Sequence, residues 1–294
     1  MFSKIFRLGA GVLAKSPLLK RGKDLFAKNS QNWNMPLSKF EKLSAGSWLI
    51  LEDYSKGIFP PKFLDQQKAY QAEKDCHLTL PGVAVADTMR SGMVKPFWFG
   101  KTGRNYLADF NRLTTFLQKT RLKPPAQLLE LGCGSGWTAE FLATMGFSIC
   151  GTTISEDSVA DASLRIRSLE AKGLSPALRF LAVPMESVHT AVAQNSFDAV
   201  YVYEALHHAF DWRESLRSSI RCLKDDGWLL ICSEPNILHT CISYRVAKIS
   251  NTHEIGFGKN ELIKELKKTG FKNVKSVGPK LHFWFRHHWL LAQK

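Results

Sequence analysis

The segment from Glu130 to Gly136 has the residue types and the spacing that a ligand-binding turn requires. It reads Glu-Leu-Gly-Cys-Gly-Ser-Gly, so three glycines occupy alternate positions directly after an apolar run. Glycine lets the backbone turn tightly and leaves no side chain between the backbone and a ligand. A plain surface turn with a solvated glutamate would leave the alternation unexplained. The segment therefore predicts a ligand site.

Two common phosphate-binding loops do not fit this segment. A Walker-type loop ends in Gly-Lys-Ser or Gly-Lys-Thr, whereas Trp137 follows the last glycine here. The dinucleotide-binding pattern places two residues between its last two glycines, and here Ser135 stands alone between them. Glu130 adds a charge argument, because a carboxylate at this point would repel a diphosphate and favour a cation. S-adenosylmethionine, which carries positive charge and no phosphate, satisfies both constraints.

The elements that would position this turn follow from the pattern of apolar residues. From residue 104 onward, short apolar runs alternate with helical patterns, which predicts a doubly wound α/β domain with a parallel sheet covered on both faces. Its ligand should bind beyond the carboxyl ends of the strands, where the winding direction reverses. The predicted strands cover residues 127–131, 147–152, 178–183, 198–203, 228–232, 271–277 and 283–292. The predicted helices cover residues 104–121, 136–145, 157–172, 185–193, 212–223 and 260–269.

The stretch from Glu130 to Gly136 resembles motif I of the class I S-adenosylmethionine-dependent methyltransferases, and the resemblance covers residues 104–294. It is strongest to the small-molecule branch that includes the quinone-biosynthesis C-methyltransferases. Four later segments resemble the family in the expected order: 150–155, 180–188, 196–208 and 221–228. The resemblance implies a Rossmann-like sheet with a late antiparallel strand, S-adenosylmethionine as cofactor and a small-molecule acceptor. It also implies the following cofactor-binding residues: Glu130, Gly132, Cys133, Gly134, Gly136, Thr153, Met185, Glu186, Tyr203 and Glu204.

The sequence departs from the family at two cofactor positions. The family usually ends its second strand with an acid that binds both ribose hydroxyls, and Thr153, which stands there, can make only one such hydrogen bond. Pro184 stands where an aspartate commonly lies near the adenine, so the N–H of Met185 and the side chain of Glu186 would have to recognise the base. These departures support an alternative function: a non-catalytic chain that binds the cofactor and acts as a membrane-surface or assembly factor.

Candidate catalytic residues follow the fourth predicted strand. Methyl transfer requires that the nucleophile is aligned, that water is excluded and, for some acceptors, that a proton is removed. His207 and His208 lie beside the expected methyl position, and histidine is a suitable general base near neutral pH. The alternative is that Leu-His-His is a structural feature of the loop. His253 with Glu254 is a second candidate pair, and no cluster in the sequence has convincing metal-ligand spacing.

The formal net charge of +14 belongs to the two ends of the chain. Residues 1–30 carry +6, residues 239–294 carry +8, and the stretch between them is neutral. Apolar residues at helical spacing before Pro17 predict a short basic amphipathic helix, which would lie in a membrane interface or pack on the protein's own body. The predicted organisation is a basic segment over 1–30, a partly helical extension over 31–103 and the methyltransferase-like domain over 104–294.

Further features of the sequence indicate the class of methyl acceptor and the cellular location of the protein. The Pro-Pro sequence that DNA amino-base methyltransferases carry after the fourth strand is missing there, as is the Pro-Cys nucleophile of C5-cytosine enzymes, so a DNA acceptor is not expected. An RNA methyltransferase that uses the basic ends is a weaker alternative. The apolar insert 235–258 and the aromatic residues Phe283 to Phe285 would suit a lipid-like or lipid-linked glycan acceptor, unless they only cover the sheet. Six cysteines without a Cys-x-x-Cys pair predict a cytoplasmic protein, with peripheral association at an anionic membrane as an alternative.

Overall fold

The chain forms two compact units. A computed structural model describes residues 16–62, 65–76, 80–277 and 287–294. The first unit comprises the described residues up to Thr88 together with Pro235–Gly256, and the second comprises Met89–Glu234 with the described residues from Phe257 onward. These bounds differ from the predicted ones at residue 103 and at the insert after the fifth strand. The predicted basic amphipathic helix and the aromatic residues Phe283 to Phe285 lie outside the described residues.

A seven-stranded sheet forms the second unit, with the strand order β3-β2-β1-β4-β5-β7-β6. The first five strands pair in parallel and β7 runs antiparallel to both β5 and β6. This confirms the predicted Rossmann-like sheet with a late antiparallel strand. The winding direction reverses between β1 and β4, which is where such sheets bind ligands. The strands are β1 (Gln127–Leu131), β2 (Ser148–Thr153), β3 (Leu178–Ala182), β4 (Phe197–Tyr203), β5 (Leu223–Glu234), β6 (Lys272–Ser276) and β7 (His288–Gln293).

Helices connect these strands near the predicted positions. They are Lys101–Lys119, Trp137–Thr144, Glu156–Ala171, Val188–Ala191, Trp212–Cys222 and Lys259–Thr269, with 3-10 turns at Met185–Ser187 and Leu206–His208. The helix predicted over 185–193 is wrong as a single element, because Ser187 has a non-helical backbone (φ −118°, ψ 11°) that separates two short turns. The fifth strand begins earlier than predicted, since Leu223 already pairs with Phe197 ahead of a register shift.

Apolar side chains cover both faces of the sheet. Successive residues of one strand enter opposite clusters, so that Leu129 packs with Val200 on one face and Leu128 packs with Tyr201 on the other. This is the pattern that near-continuous apolar strands predict for a parallel sheet between two helix layers. Each fully buried leucine contributes about 2 kcal/mol of transfer free energy. The carboxyl ends of β1 and β4 are therefore held from both sides.

The first unit is helical in its described part. Its helices are Pro17–Gln31, Lys39–Lys56, Gln66–Asp75 and Thr240–Ser250, and Val85–Val94 crosses the boundary. The insert joins this unit through a buried carboxylate: Asp53 accepts hydrogen bonds from the Tyr244 hydroxyl at 2.9 Å and from Lys248 Nζ at 2.7 Å. Gly46 allows close approach, because a Cβ there would lie 1.9 Å from the carbonyl oxygen of Cys241. Among the described helices, none combines the length and the apolar character needed to cross a bilayer.

Candidate active site

The glycine turn after β1 is crowded on the protein side and open at its centre. Gly132, Gly134 and Gly136 all have left-handed backbones, with φ values of 68°, 51° and 73°. A Cβ on Gly132 would lie 2.5 Å from the Cβ of Ala205, and a Cβ on Gly136 would lie 2.6 Å from the ring of Phe180. A Cβ on Gly134 would meet nothing within 4 Å. The outer glycines are thus required by packing, whereas Gly134 faces space that a ligand can occupy.

The carboxyl group of Glu130 does not lie open at this turn. Glu130 is only 2% exposed, and its oxygens accept hydrogen bonds from the hydroxyl of Thr138 and, at 2.8 Å, from that of Tyr201. Burial raises the pKa of Glu130 to about 7, against the opposing effect of these hydrogen bonds. The prediction that an open carboxylate attracts a cationic ligand therefore needs correction. Because side chains alternate along a strand, Glu130 points to the same face as Tyr201 and lies beneath a helix.

Arg165 holds the outer side of the turn, a role that sequence analysis did not predict. The side chain is 6% exposed, and its Nε donates to the carbonyl of Ser135 at 2.6 Å while the guanidinium pairs with Glu140. It also donates to the carbonyl of Gly92 at 3.0 Å, and the hydroxyl of Ser135 donates to the same oxygen at 2.8 Å. A buried guanidinium with several acceptors forms strong charge-assisted hydrogen bonds. The segment around Gly92 is thus fixed against the glycine turn.

The residues predicted to bind the ribose and the base occupy the ends of β2 and β3. Thr153 is the last residue of β2 and is buried, and Met185 begins the turn after β3 with its methyl group beside Gly132. Glu186 is also buried, and its carboxylate accepts a hydrogen bond from the backbone N–H of Asp211 at 3.0 Å. Glu186 therefore ties this turn to the start of the helix Trp212–Cys222.

A polar cluster lies at the carboxyl ends of β4 and β5. Asp109, from the helix Lys101–Lys119, accepts hydrogen bonds from the Tyr203 hydroxyl at 3.1 Å and from the Ser233 hydroxyl at 2.9 Å. The Ser233 oxygen also lies 2.8 Å from Nδ1 of His287. Sequence analysis predicted only Tyr203 and Glu204 of this cluster, since Asp109 and His287 lie 94 and 84 positions from Tyr203 and Ser233 is on a different strand.

Glu204 has the most unusual environment in this cluster. Burial raises its pKa to about 7, with the negative charge of Asp109 adding to the effect and the positive charge of Lys95 opposing it. About a third of the Glu204 side chain stays accessible, so a substrate could reach it. Glu204 and Ser233 both have left-handed backbones, with φ values of 48° and 58°, at the ends of neighbouring strands. Such strain in residues other than glycine is concentrated at functional sites.

The histidines predicted to be catalytic lie in the 3-10 turn after β4. Nδ1 of His207 donates to the carboxylate of Glu234 at 2.8 Å, and the ring of His208 lies 4.1 Å from that of His207. Glu234 also accepts from the backbone N–H groups of Ala205 and Leu206, each at 2.8 Å. Burial would raise the pKa of Glu234, but the charge and hydrogen bond of His207 together with these N–H groups lower it. Glu234, which sequence analysis missed, therefore fixes this turn.

The arrangement around the glycine turn fits an S-adenosylmethionine-type ligand. The turn lies at the reversal between β1 and β4, its centre opens at Gly134, and a Cβ there would fill that opening. Thr153 ends β2 and Met185 begins the turn after the neighbouring β3, in the order that the resemblance implies. The fold and this site define a class of protein, the Rossmann-like domains that bind S-adenosylmethionine.

Comparison with known proteins gives the family within this class. Residues 129–231 match the family described as "Methyltransferase domain". The match covers about a third of the chain, and over these residues the sequence is similar to methyltransferases. The matched residues run from β1 to β5 and include both the glycine turn and the turn after β4.

Two curated relatives share part of this domain. An O-methyltransferase of Pyrenophora dematioidea is 27% identical over 180 residues, which cover 56% of this chain and 61% of that protein. A ubiquinone biosynthesis O-methyltransferase of Albidiferax ferrireducens is 30% identical over 104 residues, covering 35% of this chain and 39% of that protein. The chain therefore spans less than two thirds of the length of either relative.

Two solved structures share the fold at low identity. A phosphoethanolamine N-methyltransferase of Haemonchus contortus in complex with S-adenosyl-L-methionine has a TM-score of 0.55 at 16% identity, covering 74% of this chain and 60% of that one. The [4+2]-cyclase SpnF has a TM-score of 0.54 at 20% identity, covering 80% of this chain and 97% of that one. At these identities the similarity concerns the fold alone.

Proposed function

We propose that the chain is an S-adenosylmethionine-dependent methyltransferase that acts on a small-molecule acceptor. The observation that carries the proposal is the glycine turn after β1, which opens at Gly134 where the winding of the sheet reverses. When bound, the cofactor supplies a methyl group on a sulfonium, which is already activated for transfer to a nucleophile. The residues of the chain then have to bind the cofactor, position the acceptor and accept a proton.

For cofactor binding, we assign direct contact to the backbone of the glycine turn, including Cys133 and Gly134. The hydroxyl of Thr153 would bind the ribose, and the N–H of Met185 would bind the base edge. Glu130 and Glu186 act as positioning residues, because their carboxylates are buried and bonded to protein groups.

For proton removal, the polar cluster offers Glu204 in addition to the predicted His207 and His208. A carboxyl group with a pKa of about 7 can take a proton near neutral pH, and carboxylates tuned in this way are common general bases. His207 is the weaker candidate, because its Nδ1 is bonded to Glu234. Its role in the proposal is to support the turn that carries His208.

For the acceptor, we retain a lipid-like or lipid-linked molecule. Support comes from the insert after β5, in which Ile237 and Leu238 expose about half of their apolar side chains. Both curated relatives described above are O-methyltransferases by name, which supports an oxygen nucleophile here. Because the proposed chemistry needs no secretion, we place the protein in the cytoplasm.

The proposal is tested by calorimetry of the full chain with S-adenosylmethionine and S-adenosylhomocysteine. We expect binding by the wild-type chain and loss of binding in Gly134→Asp, because the new carboxylate would fill the open side of the turn. The matched control is Gly173→Asp. Gly173 has the same left-handed backbone, with φ 78°, and a Cβ there would also meet nothing within 4 Å.

Both variants carry the same backbone strain, which costs about 1 to 2 kcal/mol. A difference in cofactor binding between them therefore reports on the glycine turn and not on a general loss of stability. Loss of binding in Gly134→Asp alone supports the proposal. Equal binding by both variants, or a wild-type chain that binds neither compound, overturns it.

A second function is favoured by one specific observation. Thr153 stands where a carboxylate usually binds the ribose, which is consistent with a chain that binds the cofactor without transferring its methyl group. Incubation with radiolabelled S-adenosylmethionine and a fractionated cell extract separates the two functions. A labelled product supports the methyltransferase, whereas binding without product in any fraction supports the non-catalytic chain.

A further inference from the structure

An exposed aromatic loop joins the helix Val85–Val94 to the helix Lys101–Lys119. Its residues Phe97, Trp98 and Phe99 are 70%, 40% and 105% exposed, and Phe99 is thus fully open to solvent. Three consecutive exposed aromatic side chains are unusual on a protein surface and mark an interaction site. We call residues 97–99 the aromatic loop.

The backbone of this loop is held in place by the protein. The N–H of Phe97 donates to the carbonyl of Val94 at 2.8 Å. The carbonyl oxygen of Trp98 lies so close to Gly103 that a Cβ on that glycine would come within 1.9 Å of it. The aromatic loop is therefore presented by a defined turn at the start of a helix.

The charge around the aromatic loop has one sign. Residues 88–108 contain four basic residues and no acidic residue. Lys101 and Arg104 are exposed in the first turn after the loop. Lys95 faces inward over the ring of Tyr106, with its Nζ 5.2 Å from the ring centre. The exposed cations thus follow the aromatic side chains directly.

Aliphatic side chains extend the apolar surface on both sides. Val94 precedes the loop and Leu107 follows it, and both are exposed. An open cavity of about 620 Å³ adjoins Phe97 and is walled mainly by apolar side chains, among them Phe141 and Leu164. Aromatic side chains beside lysine and arginine suit the interface of an anionic bilayer, where rings lie at headgroup level and cations meet phosphate.

We propose that the aromatic loop, with Lys101 and Arg104, docks the protein on an anionic lipid surface. Single-stranded RNA binds by stacking on aromatic rings and by contacts with cations, and neither explains exposed aliphatic side chains such as Val94 and Leu107. The aliphatic neighbours and the adjoining apolar cavity favour lipid. This surface is independent of the methyl-transfer chemistry and lies within the described residues.

The proposal is tested with the full chain and vesicles of phosphatidylcholine, with and without phosphatidylserine. We expect the double variant Phe97→Ser, Phe99→Ser to lose about tenfold or more in binding to the anionic vesicles, because two exposed rings no longer enter the interface. The double variant Lys101→Glu, Arg104→Glu should lose binding to anionic vesicles, and high salt should have the same effect. Phe40→Ser is the matched control, since Phe40 is a single exposed ring beside a lysine in the other unit.

A second measurement reports on the loop itself. Emission from Trp98, obtained as the difference between the wild-type chain and Trp98→Phe, should be quenched when the vesicles contain brominated lipid. Quenching together with the loss in the aromatic variant supports the proposal. Unquenched Trp98, or an aromatic variant that binds vesicles like the control, overturns it. A third result would also overturn the proposal. If the wild-type chain binds single-stranded RNA, the aromatic variant alone loses this binding, and lipid does not quench Trp98, the surface is assigned to RNA.

Discussion

Glu130→Gln should remove a pH dependence from the stability of the folded chain. The pKa of Glu130 is raised from 4.5 to about 7 by burial, so the folded state binds the proton more tightly than the unfolded state. Between these two values the free energy of unfolding falls as the pH rises, and above about 7 it is level. Glutamine is neutral at every pH and nearly isosteric, and it can still accept from Thr138.

The magnitude follows from the two pKa values. At about 1.4 kcal/mol for each pKa unit, the full effect is about 3 kcal/mol, and most of it falls between about pH 5 and about pH 8. Glu130 is buried, so solvent screening reduces this figure little and added salt should leave it unchanged. Relative to the wild-type chain, Glu130→Gln should therefore gain stability as the pH rises over this range.

Urea unfolding at several pH values measures this difference directly. Glu170→Gln makes the same change at an exposed position of the helix Glu156–Ala171 and controls for the loss of one charge. The wild-type chain has other titrating groups, but they cancel when the two chains are compared at each pH. A difference in unfolding free energy between Glu130→Gln and wild type that does not change with pH would refute the assignment of a raised pKa to Glu130.

Two further predictions concern the turn after β4. Glu234→Ala should destabilise the chain by about 3 kcal/mol, because the buried N–H groups of Ala205 and Leu206 and the ring of His207 lose their acceptor; Glu234→Gln should cost less. The pKa of Glu234 is lowered in the folded chain, so its ionised carboxylate contributes to the free energy of unfolding above pH 4.5. This contribution is lost as the pH falls through the pKa of the folded state. The unfolding free energies of wild type and Glu234→Ala, measured with urea, should therefore converge at low pH. With Glu204 as the base, methyl transfer to a labelled acceptor fraction should rise with pH through about 7, and Glu204→Gln should lose this rise while still binding S-adenosylhomocysteine.

Each of these predictions has a result that would contradict it. Equal stability of Glu234→Ala and wild type near neutral pH would show that the carboxylate does not support the turn. A Glu204→Gln chain that keeps the same rise of rate with pH would transfer the role of base to another group, with His208 the next candidate.

The sequence was most informative about the strands of the sheet. β1 lies where the apolar run 127–131 predicts it, β2 is shifted by one residue, and β3 and β4 each differ by one residue at one end. Buried parallel strands have apolar residues on both faces, so their signal is strong and local. The strand β5 was predicted too short, because polar residues interrupt the apolar pattern after Leu223, which joins the sheet through its pairing with Phe197 of β4.

The candidate site was predicted less completely. Local sequence predicted the glycine turn and the residues after β4, since both follow strands directly. It could not show that Asp109 and Ser233 meet Tyr203 and that His287 joins Ser233, because these contacts join three strand ends and a helix that are far apart along the chain. Nor could it show that Glu130 turns inward.

By itself, the sequence determined the class of the protein. The apolar runs have the spacing of a doubly wound sheet, and alternating glycines follow the first of them. Few other folds would bury these runs and also provide the left-handed turns, and both requirements are local in the sequence. The tertiary structure alone decided which polar groups act inside the protein and which face a ligand. Burial and the partners brought by other strands raise the pKa of Glu130 and of Glu204 to about 7, whereas the partners of Glu234 lower its pKa, although the residue type is the same.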